Sequence, residues 1–520
     1  MYHSLWLFLR LVSTAQFVLG AAVFNWPDPL LDTLEDQLYL PGISASSELA
    51  LDCLARDGST VAAQWLRLAY HDMANHNSTT GTGGMDASIL FEFTRPQDIG
   101  VGMFESLSDF AFSSNEYVGL ADSIAMGAIN AVIDCGGPVI PFRGGRIDAT
   151  VAGPATVPEP QQDLASHIAS FKAQGFNQTE MIMLVACGHS LGGVRKVDFP
   201  LIVTENVPTG IQTFALTVGF DNTLVHEYLN STTENVLVVG SNITTRSDLR
   251  IFSSDNNVTM QRLASSTTFN TVCADLIGRM IDTVPSSVTL TDVIEPFNYK
   301  VTKTFLFPQN GSLTFLASLR IISSRNARTP TITMFWKERT GSFCPPKGCS
   351  VGTSDDTVAD SSFLAQLKGV PFFDLFSFNA SIDLKTSISH FWFEANDNDG
   401  STPFVVDNNG ANYTIHQDVV LYDPLRSDTS NPFSVLVVGV KGPGSNPSVT
   451  ALTTLSGSDI PFTTSKTSVF TLDPSLPPAD GYTFYSSSIS HIGQLISSNT
   501  IHATINGTAY SRWVPSLDIG

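Results

Sequence analysis

Arg67 and His71 lie in the stretch "WLRLAYHDM". Four residues apart on a helix, they share one face, so a guanidinium stands beside an imidazole. The cation lowers the imidazole pKa and keeps a neutral base available at mild pH. Such a pair suits heterolysis of a peroxide. The base carries a proton from one oxygen to the other, and the guanidinium stabilises charge on the departing oxygen.

Asp72 follows at once, and "GTGGMDASI" supplies Gly84, Asp86 and Ser88. Two carboxylates, a hydroxyl and a glycine-presented carbonyl are hard oxygen ligands suited to Ca²⁺. Further on, "LVACGHSLGGVRK" reads in two ways. Gly188 to Gly192 fits G-x-S-x-G, the elbow of a serine hydrolase with Ser190 as nucleophile. Alternatively His189 is a ligand to a metal or haem iron. A ligating histidine hands its other N–H to a carboxylate, and Asp248 in "RSDLRIF" is available for that. The hydrolase needs a strand before its elbow, whereas "NQTEMIMLVACGHS" has the periodicity of a helix.

These residues sit in a chain that changes character near residue 285. Before it, helices are predicted over 58–73, 117–135, 163–175, 179–193 and 268–284, from apolar spacings of three and four. After it, runs such as "SLTFLASLRIIS", "TITMFWKE" and "FSVLVVGV" alternate with period two between Gly, Pro, Asn and Asp. That predicts an all-β, sandwich-like region over residues 290–520, as one module or two small ones.

The 520 residues carry a net charge of −21, with only 14% charged residues. An acidic surface repels nucleic acid and anionic membranes, so neither is expected as a partner. Residues 1–22 read as a signal peptide, an apolar run ending in small residues. No later segment reaches the length of a membrane span. Asn77, Asn177, Asn230, Asn242, Asn257, Asn310, Asn379, Asn412 and Asn506 each open an N-x-[ST] sequon. With six cysteines, they predict a secreted, glycosylated, disulfide-bonded protein.

In order along the chain, the motifs resemble the plant, fungal and bacterial haem peroxidase superfamily, in particular its secreted fungal members. R-L-x-[FY]-H-D stands as Arg67 to Asp72 and G-x-D-x-S as Gly84 to Ser88. "LADSIAMGAINAV", "GGPVIPFRGGRIDA", "VPEP" (157–160), "LVACGHSLGG" and "SD" (247–248) follow. The resemblance covers roughly residues 40–285 and implies a multidomain chain. A mainly α-helical haem peroxidase domain (23–285) would precede the β-rich region. It implies haem b, held by His189 as axial ligand with Asp248 as its hydrogen-bond partner. His71 would be the distal acid–base and Arg67 the distal cation. Asp72, Gly84, Asp86 and Ser88 would hold a distal Ca²⁺. Ser190 and Asp221 would be what remains of a proximal Ca²⁺ site whose earlier Asp is replaced at Thr213 and Phe214. Cys53 and Cys135 would form a disulfide, and Asp122 and Arg146 a structural ion pair.

The chain departs from the family at telling positions. Asp98, in "RPQDIG", replaces the asparagine that orients the distal histidine, and a carboxylate there would raise the His71 pKa. Tyr70 stands where secreted members carry Phe. Manganese-oxidising members have carboxylates where this chain has Thr60, Gln64 and Arg195, and lignin-oxidising members have a surface Trp where it has Leu184. The resemblance therefore implies an extracellular peroxidase that reduces H₂O₂ and oxidises small phenol-like donors at the haem edge. A non-catalytic reading is a haem-binding or wall-associated glycoprotein. Its β region would contact polysaccharide through exposed rings on a β face, with Trp392 and Trp513 either among those rings or part of the core.

Overall fold

The computed structural model describes residues 23–41, 51–110, 113–323, 330–429, 433–442, 447–457, 463–492 and 494–515. The proposed signal peptide lies outside the described residues. The helical half contains α1 (Pro29–Tyr39), α2 (Val61–Met73), α3 (Val101–Phe110), α4 (Leu120–Asp134), α5 (Leu164–Ala173) and α6 (Gln178–Gly188). After them come α7 (Thr223–Leu229), α8 (Val236–Val239), α9 (Ser247–Phe252), α10 (Val258–Leu263) and α11 (Ser266–Ile281). Two short ribbons intervene: β1 (Ala55–Arg56) with β2 (Ser59–Thr60), and β3 (Gly193–Arg195) with β4 (Ile211–Thr213).

Local chemistry sets the helix that bears Arg67 and His71. Thr60 caps α2 by accepting from the Ala63 N–H, and the apolar side of α2 buries Trp65, Leu68 and Ala69. The nearly all-buried α4 packs beside it. Gly127 of α4 also makes room for Phe110 at the end of α3, because a Cβ there would lie 2.3 Å from the Phe110 ring. A capping box between Asn177 and Glu180 starts α6. The helix ends at Gly188, short of the expected 193, with His189 as its C-cap. Gly192 then takes φ +84, and the chain turns to pair β3 with β4.

The β half is two sandwiches. In the first, β5 (Tyr299–Gln309), β6 (Ser312–Ile322), β10 (Phe372–Ile382) and β9 (Asp355–Asp360) form one sheet in the order β5-β6-β10-β9. The other contains β7 (Thr331–Glu338), β8 (Cys349–Gly352), β11 (Ile388–Asn396), β12 (Phe404–Val406) and β13 (Tyr413–Thr414). Phe315, Phe378, Phe391 and Phe393 fill the core between them. The second sandwich places β14 (Val420–Tyr422), β15 (Phe433–Lys441), β19 (Tyr482–Ser490) and β18 (Thr471–Leu472) in one sheet. Its partner sheet holds β17 (Thr464–Val469), β16 (Ser448–Gly457), β20 (Gln494–Ile505) and β21 (Thr508–Pro515).

The two halves interlock. Leu364 and Ala365 of α12 (Phe363–Leu367), inserted in the first sandwich, join the helical core. In return α1 turns Asp32, Glu35 and Asp36 onto Lys300 of β5 and Arg320 of β6, both wholly buried. Disulfides join Cys53 to Cys135, Cys187 to Cys273 and Cys344 to Cys349. Among the described residues, no helix is long and apolar enough to cross a membrane.

Candidate active site

A cavity of about 760 Å³ opens within the helical half. Arg67 and His71 line it from α2, and His189 and Asp248 from the end of α6 and the start of α9. Phe171, Leu184, Leu191 and Met280 supply apolar wall.

On the α2 side, His71 Nδ1 lies 2.7 Å from Asp98 Oδ1, with Asp98 fully buried. Burial holds the His71 pKa below its ordinary value, the Asp98 bond opposes that, and Arg67 adds to the lowering. Arg67 donates through Nη2 to the Gln97 and Ile99 carbonyls, both at 3.1 Å, and sits over the Phe199 ring. Burial lowers its pKa to about 10, so it stays charged at neutral pH. Tyr70 turns edge-on to His71 and lies parallel to Phe171, its hydroxyl 3.5 Å from Gln174 Oε1. Burial pushes its phenol pKa up, as for a packed aromatic.

On the α6 side, His189 Nδ1 lies 2.8 Å from Asp248 Oδ2. Asn235 Nδ2 also donates to that oxygen, at 2.8 Å, and the Ser247 hydroxyl reaches Asp248 Oδ1 at 3.3 Å. Phe214 stacks on the imidazole with centroids 4.2 Å apart. Sequence reading missed Asn235 and the stacking role of Phe214, since neither has a motif and both act through space. With Nδ1 engaged, Nε2 is the ring atom left for a metal.

A flat tetrapyrrole fits this cavity. Pockets of this size suit small cofactors, the wall is largely apolar, and a free imidazole nitrogen stands at one side with an imidazole–guanidinium pair also on the wall. Asp72 and the Gly84–Ser88 loop bring oxygen atoms together beside α2. Asp72 accepts the backbone N–H groups of Asp86, Ala87 and Ile89, which folds the Gly84–Ser88 loop around it. A Cβ on Gly84 would strike the Thr283 carbonyl at 2.5 Å. Burial raises the carboxyls of both Asp72 and Asp86, and among the described residues no Lys or Arg forms an ion pair with either. Such donors fit a hard cation. Ser190 and Asp221 are not brought together by any hydrogen bond. Ser190 Oγ donates to the Cys187 carbonyl at 2.8 Å, and Asp221 accepts from Thr217 and Thr223. That geometry gives Ser190 no catalytic base, and its turn leaves a helix instead of a strand, so the hydrolase reading fails.

Asp122 and Arg146 meet at 2.8 Å with both side chains fully buried. In the β half, His390 and Phe335 both stack with Trp392, and Trp513 packs edge-on against Tyr117 of the helical half.

Residues 49–266 match the peroxidase family model. The chain is 34% identical over 458 residues to a WSC domain-containing protein of Arthroderma benhamiae, covering 85% of this chain and 62% of that protein. It is 34% identical to L-ascorbate peroxidase 5, peroxisomal, of Arabidopsis thaliana, over 25% of this chain and 47% of that one. It is 30% identical to a mitochondrial cytochrome c peroxidase of Cryptococcus neoformans, over 26% of this chain and 37% of that one. The chain thus spans less than two thirds of each of these relatives. Together with the helical architecture, these matches make residues 49–266 a peroxidase domain of the haem peroxidase superfamily, followed in the same chain by a β-rich C-terminal region.

Proposed function

We propose that the protein is an extracellular haem peroxidase that reduces H₂O₂ at the expense of small phenol-like donors. The observation that carries the reading is a pair of histidine–aspartate couples on one cavity, His71 with Asp98 and His189 with Asp248. Haem b would be held through His189 Nε2, and Asp72, Asp86, Ser88 and the Gly84 carbonyl would hold Ca²⁺. When bound, haem supplies the iron at which the peroxide bond is cleaved and through which donors lose electrons.

The chain's own residues do the rest. Asp98 fixes Nδ1 of His71, so Nε2 is free to take a proton from the peroxide oxygen that stays and return it to the one that leaves. Arg67 supplies positive charge for the departing oxygen. Asp248, itself steadied by Asn235, orients His189 and makes it a stronger donor to iron. The balance is one H₂O₂ and two phenols to two waters and two phenoxyl radicals. Each phenol gives one electron and one proton.

The test is a Soret band in protein purified with haem, together with peroxide-dependent phenol oxidation. Both are expected to be lost in His189→Ala. A His189→Ala protein that binds haem and turns over like the parent would sink the assignment.

A further inference from the structure

Arg67 of α2 is half-buried and is held by groups outside its own helix. Nη2 donates to the Gln97 and Ile99 carbonyls, and the guanidinium lies over the Phe199 ring. Phe199 follows Asp198 in the turn that leaves β3. The Phe199 N–H closes that turn by donating to the Arg195 carbonyl at 3.0 Å. Asp198, like Arg67, lines the cavity, and its side chain is 18% exposed.

Gly100 locates the two charges. A Cβ there would lie 3.2 Å from Asp198 Oδ2 and 3.4 Å from Arg67 Nη1. The carboxylate oxygen and the guanidinium nitrogen thus border one small space. A side chain would fill it, and a glycine at φ +116 leaves it open. The same Oδ2 lies 3.7 Å from Arg195 Nε, beyond hydrogen-bond length. One carboxylate therefore faces both the cation of its own turn and the cation of α2. Burial lowers the Arg67 pKa, and the charges of Asp98 and Asp198 oppose that. Asp98 is engaged with His71, whereas Asp198 reaches Arg67 from a different segment of the chain.

We propose that Asp198 is a positioning residue for Arg67. It draws the guanidinium toward the turn after β3 and offsets part of the positive charge that Arg67 presents to an anion in the cavity. This inference rests on the peroxidase reading, in which Arg67 stabilises the departing oxygen, and adds the residue that restrains it. A carboxylate beside a cation weakens the field which that cation projects. Removing it strengthens the binding of an anion within reach of the cation.

Haem-loaded protein is titrated with fluoride at fixed pH and ionic strength, followed by the visible spectrum. Fluoride is a compact anion, and its affinity reports the charge of Arg67 without turnover. Asp198→Asn is expected to bind fluoride roughly tenfold more tightly than the parent, the scale of one charge in a partly buried site. Asp198→Glu restores the charge and should return the affinity toward the parental value. In an Arg67→Leu background the gain from Asp198→Asn should shrink to about twofold or less, because the effect passes through the guanidinium.

Unchanged or weaker fluoride binding in Asp198→Asn overturns the assignment. So does a tenfold gain (the size set by one charge) of roughly the same extent with Arg67→Leu, since the carboxylate then acts without Arg67. Should Asp198→Asn not fold, Asp198→Ser carries the titration with the same expectations. A wild type that takes up no haem overturns the peroxidase reading and this inference with it. A wild type that takes up haem while the variants match it overturns only the role of Asp198.

Discussion

His71 Nδ1 and Asp98 Oδ1 lie 2.7 Å apart, so a buried carboxylate holds the imidazole that faces the cavity. Burial pulls the His71 pKa down, Asp98 pulls it up, and Arg67 pulls it down again. Asp98→Asn keeps a hydrogen-bond acceptor and removes the opposing charge. The neutral imidazole should then persist to lower pH. The acidic limb of kcat/KM for peroxide, which reports the free enzyme, is expected to move down by roughly one pH unit, the scale of a single charge contact. Coincident profiles would show that Asp98 does not tune this base.

Ser190 and His189 are neighbours with opposite expectations. The Ser190 hydroxyl is buried and donates to the Cys187 carbonyl. Ser190→Ala therefore removes one local hydrogen bond, worth about 1 kcal/mol, and should leave peroxide-dependent turnover within about twofold after allowing for that small loss of stability. His189→Ala should abolish it. Thermal melts and turnover on the same preparations separate the two effects. A complete loss of activity in folded Ser190→Ala would return the serine to the catalytic centre.

Much of the site was legible because its residues fall in short motifs. Arg67 and His71 share a helical face by spacing alone, and the Gly84–Ser88 loop shows its oxygen-bearing residues in sequence. The change from helix to strand periodicity near residue 285 anticipated the two kinds of architecture. What could not be read depends on contacts across the fold. Helix α1 carries Asp32, Glu35 and Asp36, which look like a solvated face until Lys300 and Arg320 arrive from residues far along the chain. Phe214 shows its role only when β4 brings it onto His189. The helices α8 to α10 have six residues or fewer, too short for a 3.6-residue period to stand out. The end of α6 was set too late, because apolar spacing continues to Leu191 while Gly192 and the β3–β4 pairing turn the backbone away.

Asp134 is the last residue of α4, with its Oδ2 buried and unpartnered. Burial and then the charge of Asp52 raise its pKa to about 7, and a helix C-terminus also disfavours a negative charge. The unfolded chain releases this proton at an ordinary carboxyl pKa, near 3.8. Between the two values the native state binds more protons, so stability falls as pH rises through that window. Asp134→Asn should remove the dependence. Its melting temperature is expected to exceed the parent's at about pH 8 and to match it near pH 4. A constant difference across that range would mean that Asp134 titrates normally.

Glu35 tests whether the β half is part of the catalytic fold or a detachable module. Its carboxylate is wholly buried and bonds both Lys300 and Arg320. Burial alone would raise its pKa, but the two cations outweigh that and lower it. Glu35→Ala leaves two buried cations to Asp32 and Asp36, and breaking a buried pair in this way costs about 3–5 kcal/mol. A lower melting temperature is expected, with loss of haem uptake on the same heating curve, because α1 also packs into the helical core around the cavity. Deleting residues 290–520 goes further. It strips all three acids of their cations and removes Leu364 and Ala365 from the helical core. That truncation is expected to lack cooperative unfolding by circular dichroism. A truncated protein that melts cooperatively and takes up haem would make the β half a separable module.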